Sequence, residues 1–137
     1  MRSLIFHVNE YRAKPVEAST RPKGIVPDTK GEEEHFEEGL LVYVCVEDKD
    51  TINETNLLYE EIKKAAKDVG TNNIMISPFV HLSKKIANYK KAKEYLGDLV
   101  QKVKTFGFET DTAHFGYHKE TLIDIKGHRG SFRYREF

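Results

Sequence analysis

The sequence predicts a single α/β domain whose mixed β-sheet contains a βαβ unit and carries its helices on one side. Three observations support this fold class. The length of 137 residues suits one compact domain. A buried strand, an amphipathic helix and a second strand follow one another within about forty residues, as in a βαβ unit. A second amphipathic helix then precedes several short strand patterns, which favours a mixed sheet.

The N-terminal part of the chain contains a short strand and a long irregular stretch. Residues 3–8 (SLIFHV) form an apolar run that is typical of a buried strand. Residues 9–39 contain three prolines, three glycines and a block of five glutamates. We expect a solvated acidic loop over this stretch, with room for one hairpin strand.

The βαβ unit occupies the middle of the chain. Residues 40–47 (LLVYVCVE) are almost wholly apolar, as in a strand buried on both faces. Helix-capping residues at 51–56 precede an amphipathic helix over residues 57–69. A second strand over residues 74–77 ends at Pro78, and the two strands should run parallel with a right-handed crossover.

The C-terminal part contains the second helix and the remaining strands. Apolar residues repeat at helical spacing over residues 90–105, and Gly107 should end this helix. The pattern beyond it predicts strands at residues 113–117, 121–126 and 131–135, with turns at residues 119–120 and 127–130.

Charge and hydropathy exclude two classes of protein. Lys plus Arg and Asp plus Glu each number 22, so the net charge is zero and a uniformly basic nucleic-acid-binding surface is excluded. No apolar run approaches the ~18 residues of a membrane-spanning helix, so no membrane partner is expected. The N-terminal apolar stretch is too short for a signal peptide, and Cys45 has no second cysteine to pair with. These features predict a cytoplasmic protein.

The first candidate site is the PFVHLS stretch, residues 78–83. Ligands of α/β folds bind beyond the carboxyl ends of parallel strands, and this stretch follows such an end. Pro78 ends the strand and leaves nearby backbone groups free to face a ligand. His81 suits proton transfer or hydrogen bonding near neutral pH; its alternative is a structural role as the cap of residues 83–87.

The second candidate site is the HFGYHK stretch, residues 114–119. Gly116 permits close backbone approach, and three polar side chains follow it at a strand end: Tyr117, His118 and Lys119. His114 and His118 have the spacing of two metal ligands on a helix. The glycine, the strand pattern and the absence of a completing carboxylate argue against zinc, so no metal and no cofactor is expected. Lys119 on its own also fits a solvated lysine.

Basic residues cluster in two places. Five lysines follow the first candidate site, a pattern typical of a solvated helix face that also suits contact with a phosphate backbone: Lys84, Lys85, Lys90, Lys91 and Lys93. A second patch near the C-terminus contains Arg129, Arg133 and Arg135.

Four stretches, taken in order, resemble the N-terminal editing domain of archaeal threonyl-tRNA synthetases: MRSLIFHVNEY, LVYVCVED, SPFVHLSKKIA and AHFGYHKETLIDIKGH. The resemblance covers nearly the whole chain and is weakest over residues 9–39. It implies a D-aminoacyl-tRNA deacylase-like fold and a homodimer. It also implies that residues 1–137 are one editing domain, the N-terminal part of a longer synthetase chain.

The resemblance implies hydrolysis of L-seryl-tRNA(Thr), the product of mischarging by the synthetase. A single pocket discriminates one methyl group by only ~1–3 kcal/mol, or about 10–200-fold, so a second site must remove the smaller product. In this family the attacking water is positioned largely by backbone groups and by the 2′-hydroxyl of the terminal tRNA ribose, with no cofactor.

Particular residues match the family positions that carry this activity. Lys119 and His81 are the implied catalytic residues; the Lys119 cation would stabilise charge in the transition state, and His81 would hold the terminal adenosine or ribose. The implied substrate-binding residues are Pro78, Phe79, Val80, Tyr117 and His118, with Val46 and Glu47 at the end of the neighbouring strand. Lys84 and Lys85 would contact the tRNA.

The sequence departs from the family at two positions. His118 stands where a second tyrosine is frequent, and Phe132 stands where the family tail has a glutamate near the site, a role left open to Glu136. Two other interpretations therefore stay open beside seryl-tRNA editing. One is a D-aminoacyl-tRNA deacylase, and the other is a non-catalytic tRNA-binding or dimerisation appendage. A small-molecule regulatory domain is a less specific alternative.

Overall fold

The computed structural model describes all 137 residues, Met1–Phe137, and contains six strands and two helices. Their order is β1 (Arg2–Ala18), β2 (Glu34–Cys45), α1 (Ile52–Val69), β3 (Asn73–Pro78), α2 (Tyr89–Phe106), β4 (Glu109–Thr112), β5 (Tyr117–Ile125) and β6 (Phe132–Glu136). A short 3-10 turn, Val80–Leu82, lies between β3 and α2.

All six strands form one mixed sheet in the order β4-β3-β2-β1-β5, with β6 also paired to β1. Strands β2, β3 and β4 run parallel to one another, while β1 is antiparallel to β2, β5 and β6. The long β1 pairs with β6 over residues 2–6 and with β5 over residues 8–18. The predicted βαβ unit, with parallel strands, is therefore confirmed as β2-α1-β3.

Both helices pack on the same face of the sheet. The buried apolar residues of both helices share one cluster with the β2 and β3 side chains of that face. They are Leu58, Ile62, Ala65 and Ala66 from α1, and Leu99 and Val103 from α2. Helix α1 begins at Ile52 rather than at the predicted residue 57, because Thr51 and Glu54 form a capping box that starts the helix one turn and more upstream. Gly70 ends α1 as predicted. Neither helix has the length and apolar character that crossing a bilayer requires.

The prediction of an irregular stretch over residues 9–39 is wrong for most of that stretch. Strand β1 continues to Ala18 and β2 begins at Glu34, so only residues 19–33 connect them. Tyr11 and Ala13 on β1 are buried, and the charged residue between them is exposed. This two-residue alternation is the pattern of a strand, which the prolines and glutamates of the stretch obscure.

The far half of the β1–β2 hairpin bends over the helix-free face of the sheet. Tyr11 and Phe36 from this half share one apolar cluster with Tyr43 and Met75, although Phe36 lies seven residues before Tyr43 along β2. A straight strand would separate those two residues by about 23 Å at 3.3 Å per residue. Bending therefore brings the start of β2 near its own end.

The predictions for the C-terminal part are correct in number of strands but not in all positions. The predicted strand at residues 113–117 and the turn at residues 119–120 are wrong, because Gly116 has φ +90° and β5 runs without interruption from Tyr117. The polar strand β4 (ETDT) is absent from the sequence-based prediction, since it has no apolar residue to mark it. The turn at residues 127–130 and the last strand are confirmed.

Candidate active site

One cleft of about 1150 Å³ receives both candidate stretches. Its walls are the carboxyl ends of β2 and β3, the 3-10 turn, the start of β5 and part of the 19–33 connection. Residues that line it from the first stretch are Pro78, Phe79, Val80, His81 and Ser83, and those from the second are His114, Phe115, Gly116, Tyr117, His118 and Lys119. The chain thus brings together side chains that lie about forty residues apart, across one concave surface of the type that binds ligands.

An aromatic stack forms one side of the cleft. The rings of Tyr43 and Phe79 lie parallel with their centroids 4.4 Å apart. The His81 ring contacts the Phe79 ring edge-on at 5.1 Å, and its side chain is exposed at the mouth of the cleft. Burial, followed by the nearby Glu34 carboxylate, raises the pKa of Tyr43 to about 12, so its hydroxyl keeps its proton and can donate a hydrogen bond.

Lys119 is the buried cation of the cleft. Its side chain is 10% exposed, and its Nζ lies 3.1 Å from Glu34 Oε1. Nζ itself is buried and forms no well-aligned hydrogen bond, so its N–H donors have no matched acceptor within the protein. Burial lowers the pKa of Lys119, while the carboxylates of Glu34 and Asp28 oppose that decrease.

Glu34 does not line the cleft itself but lies against Lys119, which does, and the sequence-based prediction does not include it. Its carboxylate accepts hydrogen bonds from the backbone N–H of His114 at 2.7 Å, from His114 Nδ1 at 2.6 Å and from the Tyr11 hydroxyl at 3.3 Å. The glutamate block around it is typical of a solvated loop, which hides this residue. A signal is nevertheless present, since Glu34 lies two residues before the apolar Phe36 and so shares its face of a strand.

Asp28 holds the 19–33 connection against the second stretch. Its carboxylate accepts from Phe115 N at 3.0 Å and from Lys93 Nζ at 2.8 Å, and its backbone oxygen accepts from the Tyr117 hydroxyl at 2.6 Å. Burial acts to raise the pKa of Asp28, but the hydrogen bonds from Lys93 and Phe115 outweigh it and hold the pKa below its usual range. The connection therefore forms a fixed wall of the cleft.

Val46 and His118, two further substrate-binding residues expected from the sequence, both line the cleft. Val46 is buried and lines the cleft, and His118 is exposed and lines it as well. The register between β1 and β5 shifts opposite His118 and Lys119, a β-bulge of the kind that re-aims side chains at functional sites.

Glu47 lines a smaller adjacent pocket of about 700 Å³ and not the cleft itself. It accepts from Ser83 Oγ at 2.8 Å and pairs with the Met1 ammonium at 3.0 Å. Burial acts to raise the pKa of Glu47, but these two partners outweigh it and lower the pKa.

The two basic clusters differ in how far their charges are neutralised. Lys84 and Lys85 line the adjacent pocket and form no ion pair, and Lys84 also lines the cleft. In the C-terminal cluster Arg133 pairs with Asp68 at 3.2 Å and Arg135 with Glu61 at 2.8 Å. Lys84 and Lys85 therefore place unneutralised positive charge beside the cleft, whereas Lys93 of the same cluster is paired with Asp28.

The remaining histidines and C-terminal residues have structural surroundings. His7 is buried between Glu38, at 2.6 Å, and His128, at 2.7 Å. Phe132 and Glu136 do not line the cleft, and Glu136 instead accepts a hydrogen bond from the Tyr134 hydroxyl. No group of three or more His, Cys, Asp or Glu side chains is arranged to hold a metal ion.

The family model of the archaea-specific editing domain of threonyl-tRNA synthetase matches residues 1–137. The chain belongs to this editing-domain family. Curated relatives of the editing domain include the threonine--tRNA ligases of Nanoarchaeum equitans and Thermococcus onnurineus, each 34% identical over 133 residues. That of Methanococcus aeolicus is 32% identical over 131 residues. These matches cover 93% of the chain but 20–21% of each relative, so the chain spans about one fifth of their length.

A solved structure, the c-Myc DNA unwinding element binding protein, superimposes on the editing domain with a TM-score of 0.70. The match covers 100% of this chain and 99% of that one at 9% sequence identity. At this identity the likeness concerns the fold alone, and it confirms the fold class predicted from the sequence.

Proposed function

We propose that this editing domain hydrolyses the ester bond of L-seryl-tRNA(Thr). One observation carries the proposal: the proline-ended turn of residues 78–81 and the buried cation Lys119 line the same cleft. The turn offers backbone polar groups, and the lysine offers a charge in a site protected from water. Both are suited to the transition state of ester hydrolysis, in which negative charge develops on the carbonyl oxygen.

In the proposed reaction a water molecule attacks the carbonyl carbon of the aminoacyl ester. Backbone groups of the turn and the 2′-hydroxyl of the terminal ribose position this water. As its oxygen bonds to carbon, its proton passes through the 2′-hydroxyl toward the 3′-oxygen of the ribose. The Lys119 cation stabilises the oxyanion of the tetrahedral intermediate. The intermediate collapses to free serine, and the ribose 3′-oxygen leaves and takes up a proton. His81, exposed at the cleft mouth, holds the terminal adenosine or ribose.

The aminoacyl group would bind between the turn and β5. Pro78, Phe79 and Val80 provide one side and Tyr117 and His118 the other, with Val46 at the base. Glu47 contributes indirectly, because its hydrogen bond to Ser83 holds the end of the turn. Tyr117 is itself fixed by its hydrogen bond to Asp28, so the pocket has little freedom to widen for a larger side chain.

The expected result is that L-seryl-tRNA(Thr) loses its amino acid at least about tenfold faster than L-threonyl-tRNA(Thr), since the pocket has to accommodate the extra methyl group of threonine. Single-turnover deacylation with the purified domain, corrected for spontaneous hydrolysis, measures both rates. Comparison with D-seryl-tRNA separates this activity from D-aminoacyl-tRNA deacylation, in which the L ester would be spared. Equal rates for the serine and threonine esters would contradict the proposal.

Lys84 and Lys85 are proposed to contact the tRNA backbone. Replacing both by alanine should weaken tRNA binding and reduce the slope of log K against log salt by about 2, since each lysine that neutralises a phosphate adds about one to that slope. The rate at saturating tRNA should stay unchanged. The double alanine variant of Lys64 and Lys67, which lie on α1, serves as the matched control. An equal decrease in affinity in both double variants would contradict a local tRNA interaction.

The proposed partners beyond tRNA(Thr) are a second copy of the chain and the other domains of a synthetase. Phe132 and Tyr134 on β6 are 66% and 45% exposed, an apolar area suited to a second copy. The relatives are about five times longer than this chain, which suits a role as the N-terminal domain of a synthetase. Sedimentation of the purified domain measures its oligomeric state.

A further inference from the structure

The buried carboxylate of Glu34 has no role in the reaction described above, yet it lies beside the proposed catalytic cation. We propose that Glu34 is a positioning residue that holds the Lys119 ammonium group in the cleft, and that His114 and Tyr11 hold Glu34 in turn. This inference rests on the proposed function, because it assigns the device that places the cation of that reaction.

The position of the Glu34 carboxylate is fixed from two other segments. Tyr11 from β1 donates to Oε2, while His114, from the segment before β5, donates to Oε1 through both its backbone N–H and its Nδ1. An ionised carboxylate only accepts hydrogen bonds, so the Nδ1 of His114 carries the proton and its ring orientation is set. The side chain of Glu34 is 6% exposed. A carboxylate with so many fixed partners is a rigid anchor.

Lys119 needs such an anchor because its side chain is long and its charge is buried. A lysine side chain has four rotatable bonds and loses its proton readily when it is desolvated without a counter-charge. The 3.1 Å contact with Glu34 supplies that charge and a fixed direction. Because the contact is not a well-aligned hydrogen bond, the N–H donors of the buried Nζ keep no matched acceptor within the protein.

The charged and titratable groups around Lys119 leave Glu34 as its principal counter-charge. Asp28, from the 19–33 connection, acts on Lys119 more weakly than Glu34 does, and its own carboxylate is already paired with Lys93. Tyr11 and Tyr43 stay neutral, since burial raises the pKa of each. His114 is occupied with Glu34 itself. Removing the charge of Glu34 should therefore change Lys119 more than removing any other single group.

The test is Glu34→Gln, which keeps the shape and one acceptor but removes the charge. We expect kcat for L-seryl-tRNA(Thr) to fall roughly 10- to 100-fold, the scale of a misplaced reacting group, with KM within about threefold of the wild type. The upper limb of the kcat–pH profile should move to lower pH, because the unpaired lysine loses its proton earlier. Glu34→Asp, which restores the charge, should recover part of the rate and return the limb toward its original position.

Glu37→Gln is the matched control, since Glu37 lies on the same strand with its side chain 80% exposed. It should keep the wild-type rate and profile. A Glu34→Gln domain that folds by circular dichroism but keeps both the wild-type kcat and the wild-type pH limb would overturn the inference. If Glu34→Gln does not fold, Glu34→Asp decides in its place: a lowered kcat with an unshifted limb supports positioning, and an unchanged kcat contradicts it.

A second readout separates this inference from the proposed function. The Nζ titration of Lys119, followed by NMR in the wild type and in Glu34→Gln, requires no turnover. If the wild-type domain hydrolyses no aminoacyl ester, the proposed reaction fails, and an earlier titration of Lys119 in Glu34→Gln would still establish the pairing. If the wild type is active and the titration of Lys119 is unchanged by the substitution, the pairing fails and the reaction stands.

Discussion

Replacing Lys119 by methionine should lower the single-turnover rate on L-seryl-tRNA(Thr) by about 10²–10³-fold, the usual cost of losing one group that stabilises an oxyanion. Methionine fills much of the lysine's space without its charge. The loss should appear in kcat, because the cation acts on charge that develops only in the transition state. Measurement under single-turnover conditions, with the spontaneous rate subtracted, reports this step directly.

The pH dependence of the wild type identifies which form of Lys119 acts. Burial lowers the pKa of Lys119 below the usual value of 10.5, so the cation is lost at a lower pH than in an exposed lysine. A cationic role predicts that the enzymatic rate falls as pH rises through that lowered pKa. A neutral lysine acting as a base would instead give a rate that rises over the same range. The cationic role and the basic role therefore predict opposite changes of the rate with rising pH.

Two further variants make the Lys119 result specific. Lys14 lies on β1, the strand next to β5, and does not line the cleft, so Lys14→Met should leave the rate unchanged. Lys119→Arg keeps the charge but changes the reach and geometry of the donors, so it should retain more activity than Lys119→Met. Thermal melts establish that each variant folds. A Lys119→Met domain of wild-type activity would remove the lysine from the mechanism and favour backbone groups alone.

The parts of the fold that can be predicted from the sequence are those with a complete local signal. Residues 40–77 combine a fully apolar strand, a helical stripe and a second strand, and these patterns need no distant partner to be recognised. The placement of residues 78–83 at the carboxyl edge of the parallel strands, where the cleft lies, also follows, since it depends only on where a parallel strand ends.

The remainder of the site depends on long-range geometry. Glu34 reaches Lys119 across β1, because Glu34 pairs with Ala13 and Lys119 with Pro15, two residues further along the same face of that strand. This register joins three strands that are distant in the sequence. The conformation of residues 19–33 likewise depends on the contacts of Asp28 with residues 115–117, almost ninety residues away. Such contacts leave little trace in a single sequence.

Gly116→Ala should release the 19–33 connection from the cleft. Gly116 has φ +90°, which costs a non-glycine residue about 1–3 kcal/mol. A Cβ at this position would also lie 2.7 Å from Pro27 Cα, and overlap of this kind costs about 1–3 kcal/mol more. Since Pro27 belongs to the connection, the least costly relief is for the connection to move away. Amide hydrogen exchange should then accelerate at Asp28, whose N–H donates to Phe115 O at 3.0 Å.

Movement of the 19–33 connection should also change the activity, because the connection holds Tyr117 and forms one wall of the cleft. When the connection leaves, Tyr117 loses its hydrogen bond to the Asp28 backbone, and one wall of the cleft is lost. We expect KM for the seryl ester to rise and its advantage over the threonyl ester to shrink, because the pocket becomes free to widen. A fall in kcat with selectivity for serine unchanged would instead place the connection outside the substrate pocket.

Gly24 and Gly31, which belong to the 19–33 connection, allow the effect of backbone strain to be separated from the effect of steric overlap. Gly24 has φ +79° with nothing within 4 Å of an added Cβ, so Gly24→Ala introduces backbone strain without overlap. At Gly31 an added Cβ would lie 2.1 Å from His114 Nε2 with no positive φ, so Gly31→Ala introduces overlap without strain and acts on the partner of Glu34. If contact with residues 114–116 closes the cleft, Gly31→Ala and Gly116→Ala should both reduce selectivity for serine, and Gly24→Ala should not. Loss of selectivity in Gly24→Ala as well would show that the conformation of the connection itself, rather than its packing against residues 114–116, shapes the pocket.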